Sequence, residues 1–181
     1  MKLGKQSGIV LPLAFALALI AQGQTKTPPS AQSVVDEAVK TAKPQNKNVL
    51  VHFGASWCVW CKRLDAMIES PEVGKLFADN YVVAHLTIQE SDDKKALENP
   101  GAQEMAVEAG VAKSGVPVYL FFDSKGKRIA TSLAMPNGAN IGHPATPEEI
   151  KAFDGLLIRT APHMTGTQRA QIVDYLSRQK Y

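Results

Sequence analysis

Cysteine is scarce in this chain of 181 residues: there are only two, and both lie in the motif WCVWCK at residues 57–62. A zinc site built from two cysteine pairs is therefore excluded. The histidines show no H-x₃₋₅-H spacing either; they are His52, His85, His143 and His163. Lys62 rather than histidine follows Cys61, which excludes a c-type haem attachment. We predict no metal and no dissociable cofactor.

No apolar run in the sequence is long enough to form a membrane-spanning helix. Residues 9–20 form an apolar stretch interrupted only by Pro12, and this is shorter than the ~20 residues of a membrane-spanning helix. Lys2 and Lys5 precede the stretch and small residues follow it, a pattern typical of a signal peptide cleaved after Gly23. No cysteine follows the stretch that could carry a bacterial lipid anchor.

We therefore predict an exported protein, periplasmic or secreted. Residues 1–23 are the predicted signal peptide, residues 24–32 a flexible leader, and residues 33–181 one domain. Cleavage of the signal peptide would remove Lys2 and Lys5, which leaves 18 of the 20 Lys and Arg residues. The mature chain keeps all 17 Asp and Glu residues, so its net charge would be +1. Nucleic acid is thus not an expected partner, because phosphate binding needs clustered positive charge.

The mature chain shows no internal repeat, and its patterns predict alternating helices and strands. Strands are expected at residues 49–53, 81–88 and 115–122, with a hairpin partner at 127–133. Helices are expected from Ser30 to Pro44, after the cysteine motif, after Ser70, and near residues 100–110. Two capping boxes predict the last helices, one from Thr146 to Glu149 and one from Thr165 to Gln168. The charged residues 89–99 are not expected to be buried, and residues 134–145 are predicted to be a loop.

The two cysteines follow a predicted strand and begin a predicted helix. Thiols at i and i+3 on a first helical turn are close enough to form a small disulfide, and the helix N-terminus stabilises a thiolate on the first. A structural disulfide is the weaker interpretation, because closing so short a loop removes little entropy from the unfolded chain. The pattern favours electron exchange.

The sequence resembles the thioredoxin superfamily at three separated points. These are the segment FGASWCVWCK at residues 53–62, Gly115-Val116-Pro117, and the turn DSKGK at residues 123–127. The spacing is most similar to that of exported thioredoxin-like proteins and periplasmic thiol-reducing domains. The resemblance implies an α/β, three-layer fold, with a central mixed sheet flanked by helices. The final helix lies outside the resemblance and would be an extra C-terminal element.

The resemblance also implies roles for individual residues. Cys58, expected to be the more exposed sulfur, would be the nucleophile, and Cys61 would resolve the mixed disulfide. Pro117 would form a cis peptide bond opposite the cysteines, and Val116 would bind an extended substrate through its main chain. Redox-tuning or surface roles fall to side chains around the motif: Trp57, Trp60 and Lys62. The loop 134–145 is expected to border the sulfurs.

His52 departs from the family pattern, since many thioredoxins have a buried carboxylate six residues before the first cysteine. A histidine there has two interpretations: a base for the resolving thiol, or a hydrogen-bonded core residue.

The predicted function is that of an exported protein-disulfide oxidoreductase, acting as a reductase. Its partners would be protein thiols or disulfides and an unidentified redox partner, and it would meet a membrane only through a membrane-bound electron donor. The alternative is a thioredoxin-like binding or assembly module in which the cysteine pair is incidental. A peroxide-reducing role has less support, because no activating Thr or Arg constellation is evident.

Overall fold

The fold is known from a computed structural model, which describes residues 27–180. The predicted signal peptide, residues 1–23, lies outside the described residues. Within residues 27–180 no helix is both long and apolar enough to cross a bilayer. The α-helices, in chain order, are α1 Ala31–Ala42, α2 Val59–Ile68, α3 Gly74–Asn80, α4 Ala102–Glu108, α5 Pro147–Thr160 and α6 Gly166–Ser177. Short 3-10 helices occupy Lys43–Gln45 and Asp92–Leu97.

The sheet is mixed and has four strands in the order β2-β1-β3-β4. The strands are β1 Asn48–Gly54, β2 Tyr81–Thr87, β3 Val118–Phe122 and β4 Arg128–Thr131. β1 pairs parallel with β2 and antiparallel with β3, and β4 pairs antiparallel with β3. The central strand β1 is buried on both faces, as its apolar run from Val49 to Phe53, interrupted only by His52, predicts.

Alternation along β1 divides the core into two layers. Val49, Val51 and Phe53 face α1 and α4, whereas Leu50 faces the layer of α2, α3, α5 and α6. Helices therefore cover both faces, and the predicted three-layer α/β fold is confirmed. The extra C-terminal helix is α6, which adds Ile172 and Leu176 to the second layer.

Both predicted capping boxes are present. The hydroxyl of Thr146 accepts from the Glu149 amide while Glu149 accepts from the Thr146 amide, and Thr165 and Gln168 repeat the arrangement. These caps satisfy amides that the first helical turn leaves without partners. The starts of α5 and α6 therefore lie where the sequence placed them.

Several element boundaries differ from prediction by a few residues, and two of these differences have a local physical reason. The helix expected directly after Ser70 begins at Gly74; the Ser70 hydroxyl caps only a single turn by accepting from the Val73 amide at 3.1 Å. A Cβ on Gly74 would lie 2.9 Å from the Ile68 carbonyl, so the chain crosses the end of α2 closely before the helix starts. β3 begins at Val118 rather than residue 115, because Pro117 has no amide hydrogen to donate.

The prediction of a flexible leader over residues 24–32 is wrong for residues 30–32, which form the N-cap and start of α1. Ser30 caps α1, the Ala31 amide donates to the Pro100 carbonyl at 2.8 Å, and Asn99 donates to the Pro29 carbonyl at 2.9 Å. Ala31 is fully buried. Residues 30–32 therefore belong to the folded domain, while the rest of the predicted domain division stays a prediction.

Candidate functional site

The cysteine pair lies at the carboxyl end of β1 and the start of α2. Cys58 is the N-cap residue of α2, and its Sγ accepts from the Cys61 amide at 3.0 Å. A disulfide joins Cys58 to Cys61 with the two Cα atoms 5.3 Å apart. The first sulfur thus receives both a hydrogen bond and the positive end of the helix dipole, which are the two factors that stabilise a thiolate after reduction.

The Val116–Pro117 peptide bond is cis, as the resemblance implied. The Val116 carbonyl oxygen lies 3.5 Å from the Cys58 Sγ, and the Val116 side chain packs against the cysteines and Ala55. The structure therefore brings together both cysteines, Val116 and Pro117, which are separated by more than fifty residues in sequence.

The expectation that Cys58 is the more exposed cysteine is wrong. Cys58 is 2% exposed and Cys61 is 3% exposed, because Ala55 and Val116 pack directly against the pair. Exposure is instead concentrated in the neighbouring side chains, with Trp57 54% and Trp60 41% exposed. Only a small part of either cysteine is therefore open to solvent when the pair is oxidised.

Hydrogen bonds connect the turn before Cys58 to the segment that follows β2. The Trp57 indole donates to the Gln89 carbonyl at 2.8 Å, and the buried carboxylate of Glu90 accepts from both the amide and the hydroxyl of Ser56. Glu90 is 4% exposed, so the expectation that this charged segment is not buried is wrong at Glu90. Glu90 can be buried because the amide and the hydroxyl of Ser56 both donate hydrogen bonds to its carboxylate. No sequence pattern signalled this contact.

His52 lies beneath the motif on the α2 side of the sheet and is 2% exposed. Its Nδ1 is 2.9 Å from an Asp65 carboxylate oxygen, and the His85 Nδ1 is 3.6 Å from the same oxygen. A Cβ on Gly54 would lie 3.3 Å from the His52 Nε2 and 3.4 Å from the Cys61 Sγ. The absence of a side chain at Gly54 therefore lets the imidazole approach the second sulfur.

The pKa values of Asp65 and His85 depend on their burial and on the neighbouring groups of the cluster. Burial acts to raise the pKa of Asp65, but the hydrogen bond to His52 and the neighbouring imidazoles outweigh it and leave that pKa below its ordinary value. Burial lowers the pKa of His85 and outweighs the opposing attraction of Asp65. Asp65 and His85 were not identified from the sequence, because their proximity depends on strand pairing and helix packing.

The remaining predicted residues lie around the rim. Trp60 has the Arg63 guanidinium 4.5 Å from its ring centre and the His143 imidazole stacked at 6.0 Å. Lys62 is solvent-exposed and lines the cavity behind Cys61.

The loop 134–145 borders the sulfur site, as predicted. The Asn140 side chain donates to the Pro117 carbonyl at 2.9 Å, and the Tyr119 hydroxyl donates to the Gly142 carbonyl at 3.2 Å. His143 is buried against Trp60. These contacts hold the loop beside the cis-proline segment.

We expect His143 to make stability depend on pH. Burial, assisted by Arg63, lowers the pKa of His143 to about 4, whereas an unfolded histidine has a pKa of ~6.5. The unfolded chain therefore binds more protons between these values, so the His143 contribution to the free energy of unfolding rises from pH 4 to 6.5. Urea unfolding at pH 4.5, 5.5 and 7 should show a smaller rise for His143→Gln than for the wild type. The control is His163→Gln; equal rises in wild type and His143→Gln would contradict the prediction.

Residues 30–124 match a family model described as thioredoxin-like. The chain belongs to this thioredoxin-like family. The matched range contains the cysteine pair, the cis-proline and β1 to β3.

Curated relatives of this thioredoxin-like chain include two bacterial proteins. Disulfide bond reductase DsbH of Chlamydia pneumoniae is 31% identical over 107 residues, which cover 56% of this chain and 61% of the relative. Thiol:disulfide interchange protein DsbD of Ralstonia nicotianae is 26% identical over 155 residues, covering 70% of this chain and 24% of the relative. The chain thus spans about three fifths of one relative and about a quarter of the other.

A solved structure described as a disulphide isomerase from Xylella fastidiosa Temecula1 is also similar. It is 20% identical, with a TM-score of 0.49, and the match covers 90% of this chain and 98% of that chain.

Proposed function

We propose that this protein is an exported thiol-disulfide oxidoreductase that reduces disulfides in protein substrates through Cys58 and Cys61. The observation that carries the proposal is the Cys58–Cys61 disulfide at the N-terminus of α2, beside the cis-proline segment. The names of the relatives, a disulfide bond reductase and a thiol:disulfide interchange protein, support this class of reaction and favour reduction.

The proposed reaction begins from the dithiol form. The Cys58 thiolate attacks one sulfur of a substrate disulfide, so a Cys58–substrate bond forms, the substrate S–S bond breaks, and the departing thiolate takes up a proton. Cys61, having lost its proton, then attacks the Cys58 sulfur. This second step releases the other substrate thiol and re-forms the Cys58–Cys61 disulfide. Two electrons pass to the substrate, and a redox partner, such as a membrane-bound thiol donor, returns two electrons to the pair.

Residues around the pair have proposed supporting roles. Val116 binds an extended substrate through its main chain, and Pro117 holds that segment against the sulfurs without a competing amide hydrogen. Trp57 and Trp60 provide exposed apolar area for a protein partner. His52 tunes the pair from below, because it and Cys61 flank Gly54: a Cβ there would lie 3.3 Å from the His52 Nε2 and 3.4 Å from the Cys61 Sγ. Lys62 adds positive charge to the cavity behind Cys61.

A second candidate function is a binding module with an incidental disulfide. The near-complete burial of both cysteines favours it, since exchange requires a path to a sulfur. The two candidates differ in whether Cys58 ever bonds to a substrate.

The test uses the Cys61→Ser protein, in which the resolving step is blocked. We expect it to form a stable mixed disulfide with insulin chains, visible on a non-reducing gel and by mass spectrometry, because Cys58 still attacks but nothing releases the adduct. The same variant in an extracytoplasmic extract should then capture physiological partners. The control is a protein with both Cys58→Ser and Cys61→Ser. Failure of Cys61→Ser to form any adduct would support the binding module.

A further inference from the structure

Strand pairing brings two histidines of the chain together. His52 on β1 and His85 on β2 are direct neighbours in the parallel register, so their side chains extend on the same face of the sheet. α2 packs over that face and places Asp65 beside both. The three residues come from three different elements, so no local sequence spacing reveals them.

The distances between their polar atoms match those between ligands of one small metal ion. The His52 Nδ1 and the His85 Nδ1 lie 2.9 Å and 3.6 Å from the same Asp65 oxygen, and one potential ligand atom of each residue lies within 4.8 Å of the others. Around a tetrahedral zinc ion with bonds of about 2.0–2.1 Å, neighbouring ligand atoms are about 3.3 Å apart. Binding therefore requires only small side-chain shifts.

One of the three potential ligands, His52, is buried, whereas the other two are partly exposed to solvent. His52 is 2% exposed, and its Nε2 has no hydrogen-bond partner among the residues that the structure describes. The side chains of Asp65 and His85 are 33% and 51% exposed. All three line a cavity of about 390 Å³, which leaves space for water to complete the coordination. Glu90 and Lys62 also line this cavity, so its wall carries charges of both signs.

Although no metal was expected from the sequence, we propose that His52, Asp65 and His85 bind one divalent transition-metal cation of the zinc type. Two imidazoles and one carboxylate are a ligand set that zinc accepts, and an open fourth position is usual where zinc has three protein ligands. The cavity wall includes Cys61 but not Cys58, so the ion would lie behind the disulfide, away from the Val116 side. The proposal does not depend on whether the cysteines exchange with substrate.

The test is a calorimetric titration of Zn²⁺ into untagged, oxidised protein at pH 7.5. In the oxidised form the disulfide prevents both sulfurs from acting as thiolate ligands, so binding reports on the other side chains. We expect saturable binding of one ion per chain, reversed by a chelator. His85→Gln and Asp65→Asn should each weaken binding at least about tenfold, because each removes a ligand. His163→Gln, which changes a histidine outside the cavity, should leave the affinity unchanged.

His85 is half exposed, so His85→Gln is expected to fold, and circular dichroism checks this before titration. A second measurement is the NMR spectrum of the imidazole nitrogens, in which Zn²⁺ should shift the signals of His52 and His85 but not of His163. The absence of saturable binding would overturn the proposal. Equal affinity in wild type and folded His85→Gln would overturn it as well.

Discussion

Replacement of Cys58 by serine is expected to abolish insulin-disulfide reduction. In an assay with dithiothreitol as electron donor, the wild type should accelerate insulin precipitation, whereas Cys58→Ser should give the rate of dithiothreitol alone. The reason is that the Cys58 sulfur accepts a hydrogen bond from the Cys61 amide and lies at the positive end of the helix dipole, which together stabilise its thiolate. The sulfur also lies beside the Val116 carbonyl. A serine hydroxyl does not form a mixed disulfide.

The control for this assay is Lys127→Ala, an exposed change in the turn between β3 and β4, which should retain the wild-type rate. Circular dichroism and thermal unfolding check that Cys58→Ser is folded. Residual catalysis by folded Cys58→Ser would show that Cys58 is not the nucleophile and would contradict the assignment.

The largest effect on stability is expected from Phe153→Ala. Phe153 on α5 is 3% exposed, and its ring centre lies 6.3 Å from those of both Phe77 and Tyr119. Truncation removes these contacts and leaves a cavity between α5, α3 and the sheet, at a cost of about 3–5 kcal/mol in the free energy of unfolding. That is a large part of the ~5–15 kcal/mol typical of a whole domain.

Urea unfolding at pH 7 measures this effect. The matched control is Ile158→Ala on the same helix, where the side chain is 59% exposed and the expected change is within about 0.5 kcal/mol. A loss below about 1 kcal/mol for Phe153→Ala would contradict the packing of this layer.

The sequence predicted the features that local chemistry determines. The capping boxes at Thr146 and Thr165 fix helix starts through contacts within four residues, and the cysteine motif places a sulfur at a helix N-terminus. The apolar run of β1, interrupted only by His52, predicted a buried central strand. Each of these signals depends on neighbours in the chain, so it can be interpreted without knowledge of the fold.

Features that depend on tertiary packing were not predicted. Burial of Cys58 results from the approach of Val116, and burial of Glu90 from hydrogen bonds to Ser56. The cluster of His52 with Asp65 and His85 results from the β1–β2 register and the position of α2. Each case involves a partner at least thirteen residues away, and sequence patterns carry little information over that separation.

The most direct test of the account is the reduction potential of the Cys58–Cys61 pair. Wild-type protein is equilibrated in thiol-disulfide buffers of defined potential, the free thiols are alkylated, and the dithiol fraction is read by mass spectrometry. We expect a reversible two-electron transition between about −300 and −150 mV, the interval that separates inert structural disulfides from strong oxidants. A disulfide that persists below about −300 mV would contradict a redox role, and a midpoint above about −150 mV would contradict the assignment as a reductase.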